Sequence, residues 1–156
     1  MSDINPRDMS DADRTAYHEA AEAEIFMFGY TKPEATKRPK QNTWLVRRPH
    51  MSFVIQCVRD GGENNLHYHT NSETAWFVLR GRARFYGPDE KVYGEIGAME
   101  GILMPGGARY KFNKVGDEDL EIAQMVAVHQ VGDRKERINV EAHREWMADS
   151  PHLQKY

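Results

Sequence analysis

The chain of 156 residues, 40% hydrophobic and 29% charged, is long enough to bury the core of one ordinary domain without disulfides or a structural metal. A formal net charge of −3, a pI of about 6.2 and the absence of any long Lys/Arg run argue against a phosphate-binding surface, so no nucleic acid is expected as a partner. Cys57 is the single cysteine, which excludes an intrachain disulfide. No stretch approaches the roughly 18 apolar residues of a membrane span, and the start Met-Ser-Asp-Ile-Asn-Pro lacks the basic and apolar regions of a secretion signal. The expected setting is a reducing cytoplasm, with no membrane partner.

In chain order, residues 1–9 read as a polar arm. Ser10 offers an N-cap for a helix over 11–24, with Asp13 as its capping-box partner and an Ala/Glu-rich body that favours helix. The apolar patch Ile25–Phe28 can dock this segment onto the body. Residues 31–42 are polar, carry Pro33 and Pro39, and read as a loop. Lys37, Arg38, Lys40, Arg47 and Arg48 straddle that loop and read as a solvated face. From Thr43 to Val131 short β-rich runs recur between glycine, asparagine and proline: 43–48, 51–58, 66–69, 74–80, 82–87, 91–96, 101–104, 109–112 and 120–130. Many short strands with regular turn signals predict an all-β sandwich or barrel rather than βαβ units. Cys57 sits in the apolar run Phe53–Val58 as a small buried residue. After Gly132 the sequence becomes charged, and Asn139 can cap a last helix over Val140–Met147. The expected layout is an amino-terminal arm and helix (1–42), a barrel (43–131) and a carboxy-terminal helix and tail (132–156), in one structural domain.

The most informative stretch runs from Gly61 through His67-Tyr68-His69 and Glu73 to Gly81. Side chains two apart on a strand share a face, so His67 and His69 point together. Two neutral imidazoles on one face are half of a metal site and suit iron, zinc, copper or nickel.

A glycine six residues before the first histidine, an acid four residues after the second, an apolar strand and then Gly81 resemble the first motif of the cupin superfamily. Pro105-Gly106-Gly107-Ala108-Arg109-Tyr110-Lys111-Phe112-Asn113 resembles the second, and the intervening Arg84–Gly87 hairpin fits as well. The resemblance covers about 43–130 and implies a cupin-type antiparallel β-barrel, or jelly roll, with short terminal helices. The superfamily holds dioxygenases, isomerases, epimerases, lyases, cyclases and non-enzymatic binders, so it does not select an activity.

Two positions depart from the motifs. The usual acidic ligand lies seven residues before the motif glycine, where Thr74 stands, with Glu73 one position early. Strict alternation sends Glu73 to the other face, and a bulge before the strand would bring it back. As the better ligand, Glu73 is the expected one. The usual last histidine is replaced by Tyr110, whose phenol can act in the pocket or serve as packing. On the last strand, placing Glu121 in water turns Gln124 inward and His129 away. Trp76 and Val78 share parity with Thr74 and should line the cavity, with Trp44 and Phe53 expected as part of its aromatic wall.

Two histidines and a carboxylate form a facial set that leaves coordination positions free, so the expected function is a metal-dependent enzyme acting on a small, aromatic or carboxylated molecule, an oxygenase foremost. His67, His69 and Glu73 would hold a divalent metal: iron first, with zinc, manganese or nickel as alternatives. Tyr110, Gln124 and Arg109 would orient substrate. The alternatives are an isomerase, cyclase or lyase in which Tyr110 or a histidine moves a proton, and a binding module without turnover. The Ile25–Phe28 patch and exposed sheet edges predict a homodimer.

Overall fold

A computed structural model describes residues 5–130 and 137–142. Ser10 caps α1 (Asp11–Glu22): its hydroxyl oxygen accepts from the Asp13 N–H at 3.2 Å and donates to the Asp13 carboxylate at 2.6 Å. The helix ends two residues before the expected boundary and buries none of its side chains. The strands are β1 (Lys40–Arg47), β2 (Met51–Val58), β3 (His67–His69), β4 (Ser72–Arg80), β5 (Ala83–Tyr86), β6 (Val92–Ile96), β7 (Gly101–Met104), β8 (Lys111–Lys114), β9 (Leu120–Val128) and β10 (Arg137–Asn139). No described helix is long and apolar enough to cross a membrane.

Two expectations are corrected at the ends of the barrel. The loop expected over 31–42 gives way at Lys40, because Lys40 to Asn42 pair with Gln56 to Val58. Asn139 does not cap a helix: it ends β10, where Arg137, Ile138 and Asn139 pair with His69, Tyr68 and His67. The short β3 otherwise exposes an edge there, and pairing satisfies its backbone groups. Residues 140–142 bend, and the rest of the expected helix, 143–147, lies outside the described residues.

One sheet has the order β1-β2-β9-β4-β7, with every neighbouring pair in it antiparallel. A second layer contains β6-β5-β8 and β10-β3. An antiparallel bridge joins these two pieces, since His67 and Tyr110 exchange backbone hydrogen bonds of 3.1 and 2.9 Å. The continuous order is therefore β10-β3-β8-β5-β6, facing the first sheet in an all-β jelly roll.

The core follows from alternation on β4. Ser72, Thr74, Trp76 and Val78 are buried, while Glu73, Ala75 and Phe77 between them are only partly so. Trp76 packs on Phe112 with ring centroids 5.1 Å apart, and Phe85 lies 5.4 Å from Phe112. This aromatic cluster, with Ile122, Leu120 and Val58, closes one end of the interior. Gly81 ends β4 at φ +79°, where a Cβ would stand 2.8 Å from the Asp119 carbonyl oxygen. The turn between β4 and β5 therefore requires glycine.

Glu121 lies on the outer face of β9 but is buried, against expectation. The segment before β1 covers it, bringing the Lys32 ammonium within 3.6 Å of the carboxylate. Cys57 is buried and unbridged, and burial raises its thiol pKa.

Candidate functional site

Three strand ends place the reactive groups. The β3–Tyr110 bridge brings His67, His69 and Tyr110 onto one face, because partners across an antiparallel pair share a face. The His67 and Tyr110 rings lie 4.6 Å apart and the His67 and His69 rings 5.2 Å apart. His67 Nδ1 stands 2.7 Å from the backbone oxygen of Asn65. A carbonyl oxygen only accepts, so Nδ1 carries the proton and Nε2 keeps its lone pair. Burial, then Arg137 and His69, hold the His67 pKa well below the usual imidazole range, so the ring is neutral at pH 7.

β4 supplies Thr74 and Trp76 from the opposite sheet. Their Oγ1 and Nε1 atoms and the Tyr110 hydroxyl are all buried without a hydrogen-bond partner. Burial pushes the Tyr110 phenol up to about 12, opposed by the Trp76 N–H and the Thr74 hydroxyl. Both groups therefore face the phenol from the opposite sheet. Three buried polar atoms without a hydrogen-bond partner among the described residues make this the polar patch of an otherwise apolar interior. Gln124, opposite Trp76, is half-buried and accepts a 2.8 Å bond from the Gln56 amide.

Two cations complete the interior. Lys40 is buried, donates to Asn64 Oδ1 at 2.7 Å, and does not belong to the solvated basic face expected of it. Burial, then the charge of Arg137, lowers its pKa to about 7. Arg137 stands opposite His69 on β10 and donates to the side-chain oxygens of Asn65 and Asn139.

No family model matches this chain, and no curated protein does. Solved structures match over most of it. A protein with a double-stranded β-helix domain from Klebsiella pneumoniae subsp. pneumoniae MGH 78578 is 19% identical, with a TM-score of 0.59 over 71% of this chain and 91% of that one. An RmlC-like cupin family protein from Methanocaldococcus jannaschii is 15% identical, with a TM-score of 0.56 over 68% and 93%. The cupin domain of Cnp3 from Schizosaccharomyces pombe is 15% identical, with a TM-score of 0.55 over 64% and 73%. The chain has the cupin fold.

Within this cupin barrel, several residues expected at the site lie elsewhere. Glu73 is on the outer face of β4, because the register from Ser72 to Val78 runs without the bulge that would turn it inward. Thr74 occupies the inward position instead. Arg109 is exposed, as alternation from the buried Tyr110 requires. Phe53 faces outward, its ring 5.9 Å from that of Phe28. Trp44 shares the inner face with Val54 but is 41% exposed and stacks under the Arg47 guanidinium. His129 is exposed, in keeping with its expected turn away from the interior, and His50 and His18, never expected at the site, are exposed too, while His143 and His152 lie outside the described residues.

The donor set does not fit the divalent metal expected at His67, His69 and Glu73. Among the described residues no three metal-ligating side chains of the His, Cys, Asp or Glu type converge. The inward positions hold neutral Thr74 and Tyr110, with Lys40 and Arg137 acting on His67. A dication there would meet the like charge of Arg137, the leading charge acting on His67, with no inward carboxylate to balance it. Lys40, Asn65 and Arg137 were missed in the sequence for one reason. Lys40 and Asn65 lie just outside expected strands, Arg137 lies in the charged stretch expected to lead into a helix, and none carries a local signal of burial.

Proposed function

We propose that this cupin binds a small organic molecule in the barrel and moves a proton on it, as an isomerase, cyclase or lyase does. The observation that carries the reading is the 2.7 Å contact of His67 Nδ1 with the Asn65 carbonyl, which leaves Nε2 as a base beside the unpartnered Tyr110 hydroxyl. His67 Nε2 takes a proton from the substrate, and the Tyr110 O–H donates to the oxygen on which negative charge develops. A low imidazole pKa keeps the base free at neutral pH and makes the imidazolium a ready donor for the return step. Trp76 and Phe112 exclude water from the far wall.

An iron oxygenase is the lesser reading, because its carboxylate ligand would be Glu73, which faces outward. The experiment incubates the full chain in deuterium oxide with a panel of small keto acids, aldehydes and ketones. Nuclear magnetic resonance then follows exchange at the carbon next to the carbonyl. Exchange that falls by about 100-fold or more in His67→Gln is expected. Equal exchange in wild type and His67→Gln would overturn the proton-transfer role. Saturable binding without any exchange would make the barrel a binding module, and oxygen uptake would return the oxygenase.

A further inference from the structure

Arg137 is a half-buried guanidinium whose partners are both neutral. Its bonds go to the side-chain oxygens of Asn65 and Asn139, which leaves most of its N–H donors without an acceptor among the described residues. Among the described residues no carboxylate lies within ion-pairing distance of it, whereas Arg59, Arg80, Arg82 and Arg84 each have one. A cation taken from water without a counter-charge is unfavourable. This one is nonetheless held in place. Asn65 is 1% exposed, and its amide nitrogen donates to Asn139 Oδ1 at 3.0 Å and to the Glu141 carbonyl at 2.9 Å. The guanidinium therefore stands on a rigid amide platform, on the same face as His69, His67 and Tyr110.

We infer that Arg137 anchors an oxyanion, a carboxylate or phosphate, on the small molecule bound in the barrel. The remaining N–H edge of a guanidinium matches two oxygens of either group. The proposed proton transfer fits this placement. An anion held at Arg137 keeps the substrate on the face that carries His67. The inference rests on the reading of the barrel as a small-molecule site, and not on its proton chemistry.

The test measures binding and not turnover. The full chain is titrated at constant ionic strength with benzoate, with the neutral isostere benzamide and with inorganic phosphate, using calorimetry and thermal shift. Saturable binding of benzoate or phosphate, with benzamide inert, is expected, and the stronger of the two anions names the group. Arg137→Gln should weaken the anion by about ten-fold or more, the worth of one hydrogen bond to a charged group. Arg137→Lys, which keeps the charge but loses the fork, should recover only part of that loss and supplies the answer if Arg137→Gln does not fold. His67→Gln should still bind the anion, so a failed exchange experiment leaves this one intact. Equal binding of benzoate and benzamide, no saturable anion binding, or full anion affinity in both Arg137 variants would overturn the inference.

Discussion

Tyr110 and His67 are fastened twice, by paired backbone hydrogen bonds of 3.1 and 2.9 Å and by rings 4.6 Å apart. The bridge is what joins β3 to the rest of its layer, so the geometry of the candidate site and the closure of the barrel are one feature. A change at either residue must therefore be read both for chemistry and for fold.

Tyr110→Phe separates the two. The hydroxyl is buried without a partner, and an unsatisfied polar atom costs about 1–3 kcal/mol. Removing it should raise unfolding stability by about 1 kcal/mol in urea titration while lowering proton exchange by about ten-fold or more. A loss of stability would mean that the hydroxyl is bonded in the folded protein.

His67 gives the fold an acid limit. Its pKa lies near 6.5 in the unfolded chain and well below that when folded, chiefly through burial. As pH falls below about 6.5 the unfolded chain takes up the extra proton first, so stability drops toward acid with a slope of at most about 1.4 kcal/mol per pH unit. His67→Gln should flatten that limb relative to wild type. Unfolding curves at successive pH values between neutral and acid measure it.

Lys40 acts at the other end of the scale. Its pKa is about 7 folded against 10.5 unfolded, so between these values the unfolded chain again holds the extra proton. The stability contribution of Lys40 is then lowest below about pH 7, rises once the folded lysine has released its proton, and levels off near 10.5, where the unfolded ammonium loses its own. Lys40→Met should remove this rise. An identical pH dependence in the variant would show that the ammonium is not buried.

Glu73→Gln tests the outward placement of that carboxylate. The neutral amide on the outer face of β4 should change stability by no more than about 0.5 kcal/mol and leave ligand binding as it was. Loss of binding would return Glu73 to the interior.

Gly81→Ala should destabilise by about 2 kcal/mol or more, because a left-handed φ of +79° and a Cβ 2.8 Å from backbone oxygen act together. Thermal unfolding followed by circular dichroism reads this directly.

The sequence by itself determined the class of fold. Alternation on β2, β4 and β9, with turn glycines such as Gly81 between strands, is local chemistry with a period of two, and it is legible without tertiary contacts. The same period already put His67 with His69, and Thr74 with Trp76, on shared faces. Tertiary structure alone decided what surrounds them. Glu73 is the better ligand by composition, but its register keeps it outside. Glu121 is buried because a segment 89 residues earlier, at Lys32, crosses it. Arg137 and Lys40 read as surface charges in a linear chain, since their neighbours are polar. They turn inward only when Arg137 pairs opposite His69 and Lys40 pairs opposite Val58. Burial of a charge is a property of partners far apart in sequence, and no local pattern encodes it.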